Sequence, residues 1–250
     1  MTHDGAAIAV ELSGLTKTFG SHRALDGASL SIAAGECVAI VGESGSGKTT
    51  MLRCINRLVE PDNGNVTLNG RDVSDIDATE LRRSLGYVPQ DGGLMPHWRV
   101  TRNVALVPWL SGMADATDRA LKALRTVGLD PHEVGDRWPH ELSGGQRQRV
   151  AMARALAASQ RCLLLDEPFG ALDAITRAEL QRAFRKIREE QGVTAVLVTH
   201  DLREAMFLSD RTAVMHMGRI EQVGTPGELR DKPATSYVSR LLSFASDGEQ

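Results

Sequence analysis

Gly42-Glu43-Ser44-Gly45-Ser46-Gly47-Lys48-Thr49 lies between the apolar run Cys37-Val38-Ala39-Ile40-Val41 and a helix-like stretch, Thr50-Met51-Leu52-Arg53-Cys54-Ile55. The octet fits G-x-x-x-x-G-K-[ST], and a strand before it and a helix after it make it a phosphate loop. Glycines let consecutive backbone N–H groups turn toward one anion, and the following helix adds its positive end. Lys48 is expected to reach the β- and γ-phosphates, and the Thr49 hydroxyl to ligate Mg²⁺. Gly42, Ser44, Gly45, Ser46, Gly47, Lys48, Thr49 and Thr50 are therefore the candidate cradle for a nucleoside triphosphate. A Gly/Ser-rich turn that fits the pattern by accident is the competing reading, and it does not require the flanking strand and helix.

Working outward, 250 residues with 42% hydrophobic and 24% charged content can bury one large domain or two small ones. Lys and Arg number 29 against 32 Asp and Glu, a net charge of −3, so no overall basic field is expected to hold nucleic acid. Cys37, Cys54 and Cys162 are an odd number set in apolar segments, which fits buried thiols better than disulfides or a metal site. The start, Met1-Thr2-His3-Asp4, lacks a basic and then apolar leader, and no run approaches the ~18–20 apolar residues of a membrane span.

Strand-like runs at 7–12, 28–32, 36–41 and 65–68, the last followed by the hairpin dipeptide Asn69-Gly70, suggest an antiparallel β layer beside the loop. The spacing predicts a helix over 48–59, ending before Pro61. Helical periodicity then dominates 91–159, clearest at 116–127 and 146–158 and punctuated by Pro96, Pro108, Pro131 and Pro139. Apolar runs at 162–165 and 193–199, separated by a helix over 174–190, have the spacing of a βαβ unit with strands covered on both faces. A hairpin over 212–223 turns at Gly218, and Tyr237, Val238, Leu241, Leu242 and Ala245 recur as the docking face of a terminal helix.

Cys162-Leu163-Leu164-Leu165-Asp166-Glu167 is an apolar strand ending in two acids, and ligands of open α/β sheets gather at the carboxyl ends of strands. Asp166 is then suited to Mg²⁺ and Glu167 to aligning and partly deprotonating a water that attacks the γ-phosphate. Alone, such a pair is more often a surface turn; a phosphate loop in the same chain reverses that. His200 closes the next buried strand and is a candidate donor to the γ-phosphate or that water, where a lone strand-end histidine is usually structural. Leu142-Ser143-Gly144-Gly145-Gln146 opens another helix with a good N-cap and two glycines, a second anion site. Arg147 and Arg149 follow on a stretch without acids, which suits a surface facing phosphate. If the two anion sites lie far apart in one chain, one nucleotide touches both only when two chains pair head to tail.

In this order the motifs resemble the nucleotide-binding subunits of ATP-binding cassette (ABC) transporters, over nearly the whole chain from about Ile8 to Leu242: the loop 42–49, Gln90 after Gly86-Tyr87-Val88-Pro89, the signature 142–146, the strand with Asp166 and Glu167, Ala171-Leu172-Asp173, and His200. The resemblance implies an α/β fold, a P-loop NTPase (RecA-like) core with an antiparallel β subdomain and an inserted α-helical subdomain. It implies one nucleotide-binding domain over 7–240, with the core at about 7–90 and 160–235, the helical subdomain at about 91–159, and a tail at 241–250. It further implies that Phe19 stacks on adenine, that Gln90 senses Mg²⁺ and the attacking water, that Ser143 and Gly145 grip the γ-phosphate held by a partner chain, and that Asp173 crosses the dimer interface. The expected assembly is a homodimer with two ATP molecules at its interface, on the cytoplasmic side of the inner membrane.

Within the family, segments 55–61, 105–108, 136–142 and 170–177 are similar to importers of glycine betaine, proline betaine, choline and related quaternary amines. Leu94-Met95-Pro96-His97-Trp98-Arg99 departs from that group's usual Leu-Phe-Pro-His-Met-Thr, and its appended paired regulatory domains are not expected here. Permease subunits are expected to contact residues 94–104 through Met95, Trp98 and Val100, with packing of Trp98 inside the helical insertion as the competing reading. An extracytoplasmic solute-binding protein is the further expected partner, and no nucleic acid. Other readings are an importer of amino acids or another small solute, a catalytically dead regulatory cassette, and a soluble ABC protein of DNA repair or translation. The short separation of Gln90 from Ser143 argues against the long coiled-coil insertion of repair members, and the complete set Lys48, Gln90, Glu167 and His200 argues against a dead cassette.

Overall fold

Val10 and Leu12 turn into the core of a sheet, but the next fully buried residue is Leu15, three positions on instead of two. In the computed structural model, which describes residues 8–246, a β-bulge makes up the difference. Strand β1 (Ile8–Phe19) pairs antiparallel with β2 (His22–Ala33), with Leu12 opposite Leu30 and Leu15 opposite Ala28, and its register slips between these two pairs. Gly14 takes φ +60° there, and its N–H donates to Ser29 Oγ at 2.9 Å. The bulge lets one strand continue to Phe19, well past the run expected at 7–12, of which Ala7 lies outside the described residues. The end of the expected tail, 247–250, also lies outside them.

The chain divides into two compact units, Met1–Arg82 with Thr194–Gln250, and Arg83–Val193. In the first, β3 (Cys37–Val41) is buried at every position and leads through the phosphate loop into α1 (Lys48–Ile55). That helix stops short of the expected 59. Arg57 takes a left-handed φ of 53°, and the N–H groups of Leu58 and Val59 close back on the Arg53 carbonyl. The Arg57 guanidinium is held by the carbonyls of Val73 and Ile76, tertiary contacts that override the local helical pattern. Strands β4 (Asn63–Leu68) and β5 (Arg71–Asp72) turn at Asn69-Gly70, both at positive φ, and complete the antiparallel sheet β2-β1-β4-β5. Helix α2 (Ala78–Ser84) follows.

The second unit opens with β6 (Gly86–Val88), a strand too short to show in sequence periodicity. Helices α3 (Val100–Val104), α4 (Leu106–Leu110), α5 (Ala116–Thr126), α6 (Pro131–Val134) and α7 (Gly144–Leu156) come next, with α3, α5 and α7 packed on one another. Strand β7 (Cys162–Asp166) pairs in parallel with β6 and leads to α8 (Ala174–Gln191). A Cβ on Gly86 would collide with Leu163 and with the Ala155 carbonyl, so only glycine permits this strand to lie so close to both.

Back in the first unit, β8 (Thr194–Val198) and β9 (Arg211–His216) flank β3 in parallel, as the fully buried sequence of β3 and β8 requires. Between them runs α9 (Leu202–Leu208). Strand β10 (Arg219–Gly224) returns antiparallel to β9 through Met217-Gly218, and α10 (Pro226–Asp231) and α11 (Ser236–Ser246) end the described chain. Tyr237 and Val238 of α11 are buried, as expected of a docking face. All three cysteines are buried free thiols; burial pushes Cys54 up to about 11 and Cys162 up to about 12. Among the described residues no helix is long and apolar enough to cross a membrane.

Candidate nucleotide-binding site

The loop 42–49 owes its shape to two glycines that nothing else can replace. A side chain on Gly42 would run into the Met215 carbonyl, and one on Gly47, at φ +104°, into the Ala24 carbonyl. Gly47 also occupies the N-cap of α1, so that helix starts without a side-chain cap. Helices α7, α8, α9 and α10 are all capped, by Ser143, Asp173, Asp201 and Thr225. A helix start without a side-chain cap, together with the helix dipole, suits an anion. Lys48 is buried, and its ammonium donates to the carbonyls of Gly42 and Glu43, each at 2.8 Å. A phosphate placed against the loop offers that ammonium a charged acceptor in place of two neutral ones.

Around the loop, Ser46 is buried, Ser44 and Gly45 are exposed, and Thr49 and Thr50 are half-buried in the first turn of α1. Phe19 ends β1 as a residue 49% exposed, and the Lys17 ammonium lies 5.5 Å from its ring centre. His200 follows β8 and is exposed, just before the Asp201 cap of α9.

In the second unit, Asp166 ends β7 with no solvent exposure. Glu167 follows at φ 47°, the left-handed region that a branchless glycine would occupy more easily. The Gln90 amide donates to Glu167 Oε2 at 3.2 Å, so these two candidates meet. The turn after them is anchored by Phe169, buried edge-on against Phe184, and by buried Leu172. Ser143 and Gln146 form a reciprocal capping box at the start of α7. Ser143, Gly145, Gln146, Asp173 and Thr176 line one groove of about 520 Å³. A Cβ on Gly145 would sit 3.2 Å from Leu172, and Gly144 begins the same turn. The Thr176 backbone N–H, and then its hydroxyl, hold the Asp173 carboxyl below its ordinary range.

The sequence-based expectation for Arg149 needs correcting. Its guanidinium lines the groove but donates to the carbonyls of Val127 and Gly128 and to Glu179, so it braces α7 where it was expected to present charge to phosphate. Arg147 stays exposed while donating to the Leu142 carbonyl. Val100 is likewise no surface residue, being wholly buried, whereas Met95 is exposed and Trp98 half-buried.

Three residues that sequence reasoning missed stand out. Arg154 of α7 donates to the carbonyls of Gly92 and Gly93, tying the segment after Gln90 to the signature helix. Buried Asn103 accepts from the Met95 N–H at 2.7 Å and donates to the carbonyls of Met95, Trp98 and Arg99, which shapes the 95–99 loop. Trp109, 62% exposed, joins Trp98, Arg102 and Leu106 in a surface groove of about 450 Å³. An arginine and an asparagine inside helical stretches without acidic partners were the available signal; main-chain partners leave none.

A glycine cradle feeding a helix without a side-chain cap, between a buried strand and that helix, has the form of a phosphate loop. The sequence profile of the ABC transporter family matches residues 25–170, and the chain belongs to that family. It is 47% identical to the carnitine transport ATP-binding protein OpuCA of Listeria monocytogenes, over 91% of this chain and 58% of that protein. It is also 47% identical to the sulfate/thiosulfate import ATP-binding protein CysA of Bordetella bronchiseptica, over 94% of this chain and 67% of that protein. The chain thus spans less than two thirds of the carnitine relative. Among solved structures, the dimeric ATP-binding cassette MJ0796 in a post-hydrolysis state with ADP and Pi is similar at a TM-score of 0.79 and 36% identity, covering 86% of this chain and 98% of that one.

Proposed function

We propose that this chain is the ATP-hydrolysing subunit of an ABC importer, a homodimer binding two ATP molecules at the cytoplasmic face of the membrane. The observation that carries the reading is the pairing of an uncapped, glycine-cradled helix start at 42–49 with a second helix start at Ser143 whose groove also holds Asp173. In this reading Phe19 stacks on adenine, and the N–H groups of 44–50 with Lys48 hold the phosphates. Glu167, oriented by Gln90, takes a proton from the attacking water, and His200 donates to the γ-phosphate. Ser143 and Gly145 reach the partner chain's nucleotide, so hydrolysis loosens the dimer and resets the permease.

Thr49, Asp166 and Gln90 would hold Mg²⁺, and they suit it. Their donors are hard oxygens, and a cation of this kind is bound by one or two carboxylates, here Asp166, together with substrate phosphates. Once bound it would neutralise charge developing on the phosphates.

We further propose that permease subunits dock at 94–104, with Trp98 and Trp109 as aromatic anchors of the 450 Å³ groove, and that an extracytoplasmic protein delivers the solute. The solute assigned is a quaternary amine such as glycine betaine or choline. The name of the carnitine relative supports this, as do segments 55–61, 105–108, 136–142 and 170–177. The sulfate relative, equally identical, favours a second reading in which the solute is another small molecule. The cassette itself touches no solute. Vesicles carrying the full transporter, loaded with MgATP, separate these readings. Uptake of glycine betaine that disappears in Glu167→Gln supports the proposal; uptake of sulfate alone overturns the solute assignment, and uptake that persists in Glu167→Gln overturns the catalytic one.

A further inference from the structure

Tyr237 serves two partners at once, and simple docking of α11 explains neither. Its ring stacks on His216 at the end of β9, centroids 3.9 Å apart and planes 25° from parallel. Its hydroxyl accepts the Glu43 backbone N–H at 3.2 Å. Glu43 is the first residue after Gly42, and its carbonyl is one of the two on which the Lys48 ammonium rests. The β9–β10 turn beside His216 grips the same loop from another side: the Gly218 N–H donates to the Ser46 carbonyl at 3.0 Å. Only a glycine at position 42 fits beneath the Met215 carbonyl.

We propose that Tyr237 is a positioning residue for the phosphate loop, fixing the peptide through which the chain leaves β3 and so setting how well the loop's N–H groups and Lys48 converge on a phosphate. The proposal rests on reading 42–49 as the nucleotide cradle. Val238, wholly buried beside Tyr237, supplies apolar anchorage for α11, and a phenylalanine at 237 would stack on His216 equally well. The hydroxyl is therefore the informative atom. Burial pushes its pKa upward, which keeps it a neutral phenol that accepts the amide N–H. Because Glu43 is exposed, water partly replaces a lost hydroxyl, which keeps the effect at the low end of what one hydrogen bond is worth.

Titration calorimetry on the full chain, with ADP and with ATP in Mg²⁺ buffer, tests this in Tyr237→Phe and in Val238→Ala. Tyr237→Phe is expected to weaken both nucleotides by roughly two- to fivefold, with a nucleotide-free unfolding midpoint no more than ~2 °C below the parent's. Val238→Ala is expected to lower that midpoint and leave both affinities unchanged. Parental affinity in Tyr237→Phe overturns the proposal, and so does an equal loss in Val238→Ala, which would assign the effect to helix docking. A parent chain that binds neither nucleotide overturns the reading of the cradle and this proposal with it.

Discussion

Glu167 is a non-glycine residue at φ 47°, and two substitutions there separate its chemistry from its backbone. Glu167→Ala and Glu167→Gly both delete the carboxylate and its bond to Gln90. They differ only in how they tolerate the left-handed region. That conformation costs an L-residue about 1–2 kcal/mol, whereas glycine gives up about 0.4–1 kcal/mol through its freer unfolded chain. The balance favours the glycine variant by about 1 kcal/mol, or about 2–4 °C in a chain of this size. Hydrolysis should fall by ~10²–10⁴-fold in both, the usual worth of a positioned general base. Urea unfolding with a coupled phosphate-release assay reads both quantities on the same preparations. An alanine variant as stable as the glycine variant would refute the backbone argument, and hydrolysis at the parental rate in either would remove Glu167 from catalysis.

Gly47→Ala places a Cβ 2.9 Å from Met215 Cε and 3.2 Å from Leu25 Cδ2, and against the Ala24 carbonyl, at φ +104°. With left-handed strain of about 1–3 kcal/mol and a rigid carbonyl in the way, ATP binding should weaken by at least tenfold, measured with a fluorescent nucleotide. Trp98→Ala should uncouple solute uptake from hydrolysis in vesicles while basal ATPase stays near parental. A parallel loss of folding, seen as a lower melting temperature, would assign Trp98 to the helical core. The buried thiols should be silent at pH 8 toward an aromatic disulfide reagent until the chain is unfolded, since Cys54 and Cys162 titrate near 11 and 12. Because these folded pKa values are raised, their stabilising effect is complete below the unfolded value of about 8.5. It is lost as pH rises toward 11–12, so the urea midpoint should decline above pH 9.

What could be read from the sequence divides along a physical line. Gly42, Gly47, Lys48, Ser143 and Asp166 stand out in the sequence because few residue types suit the holding of an anion or a cation. Strands β3 and β8 were legible for a similar reason, since cover on both faces leaves an unbroken apolar run. The end of α1 was not. Its fate is decided at Arg57 by carbonyls 16 and 19 residues further along, and no local pattern announces a main-chain acceptor. Strand β1 was cut short for want of the bulge at Gly14, which resets the period of two on which strand reading depends. Arg149, Arg154 and Asn103 all bond to backbone carbonyls, and the Tyr237 hydroxyl accepts a backbone N–H. A main-chain group has the same chemistry whatever its side chain, so no motif at the far end of these bonds could betray them. The apolar spacing of α11 does reveal that the helix docks. That Tyr237 docks with its hydroxyl on a loop 194 residues away is visible only in three dimensions. The residues proposed to face a ligand are therefore written in residue types, and the bonds that hold each of them in shape are written in topology.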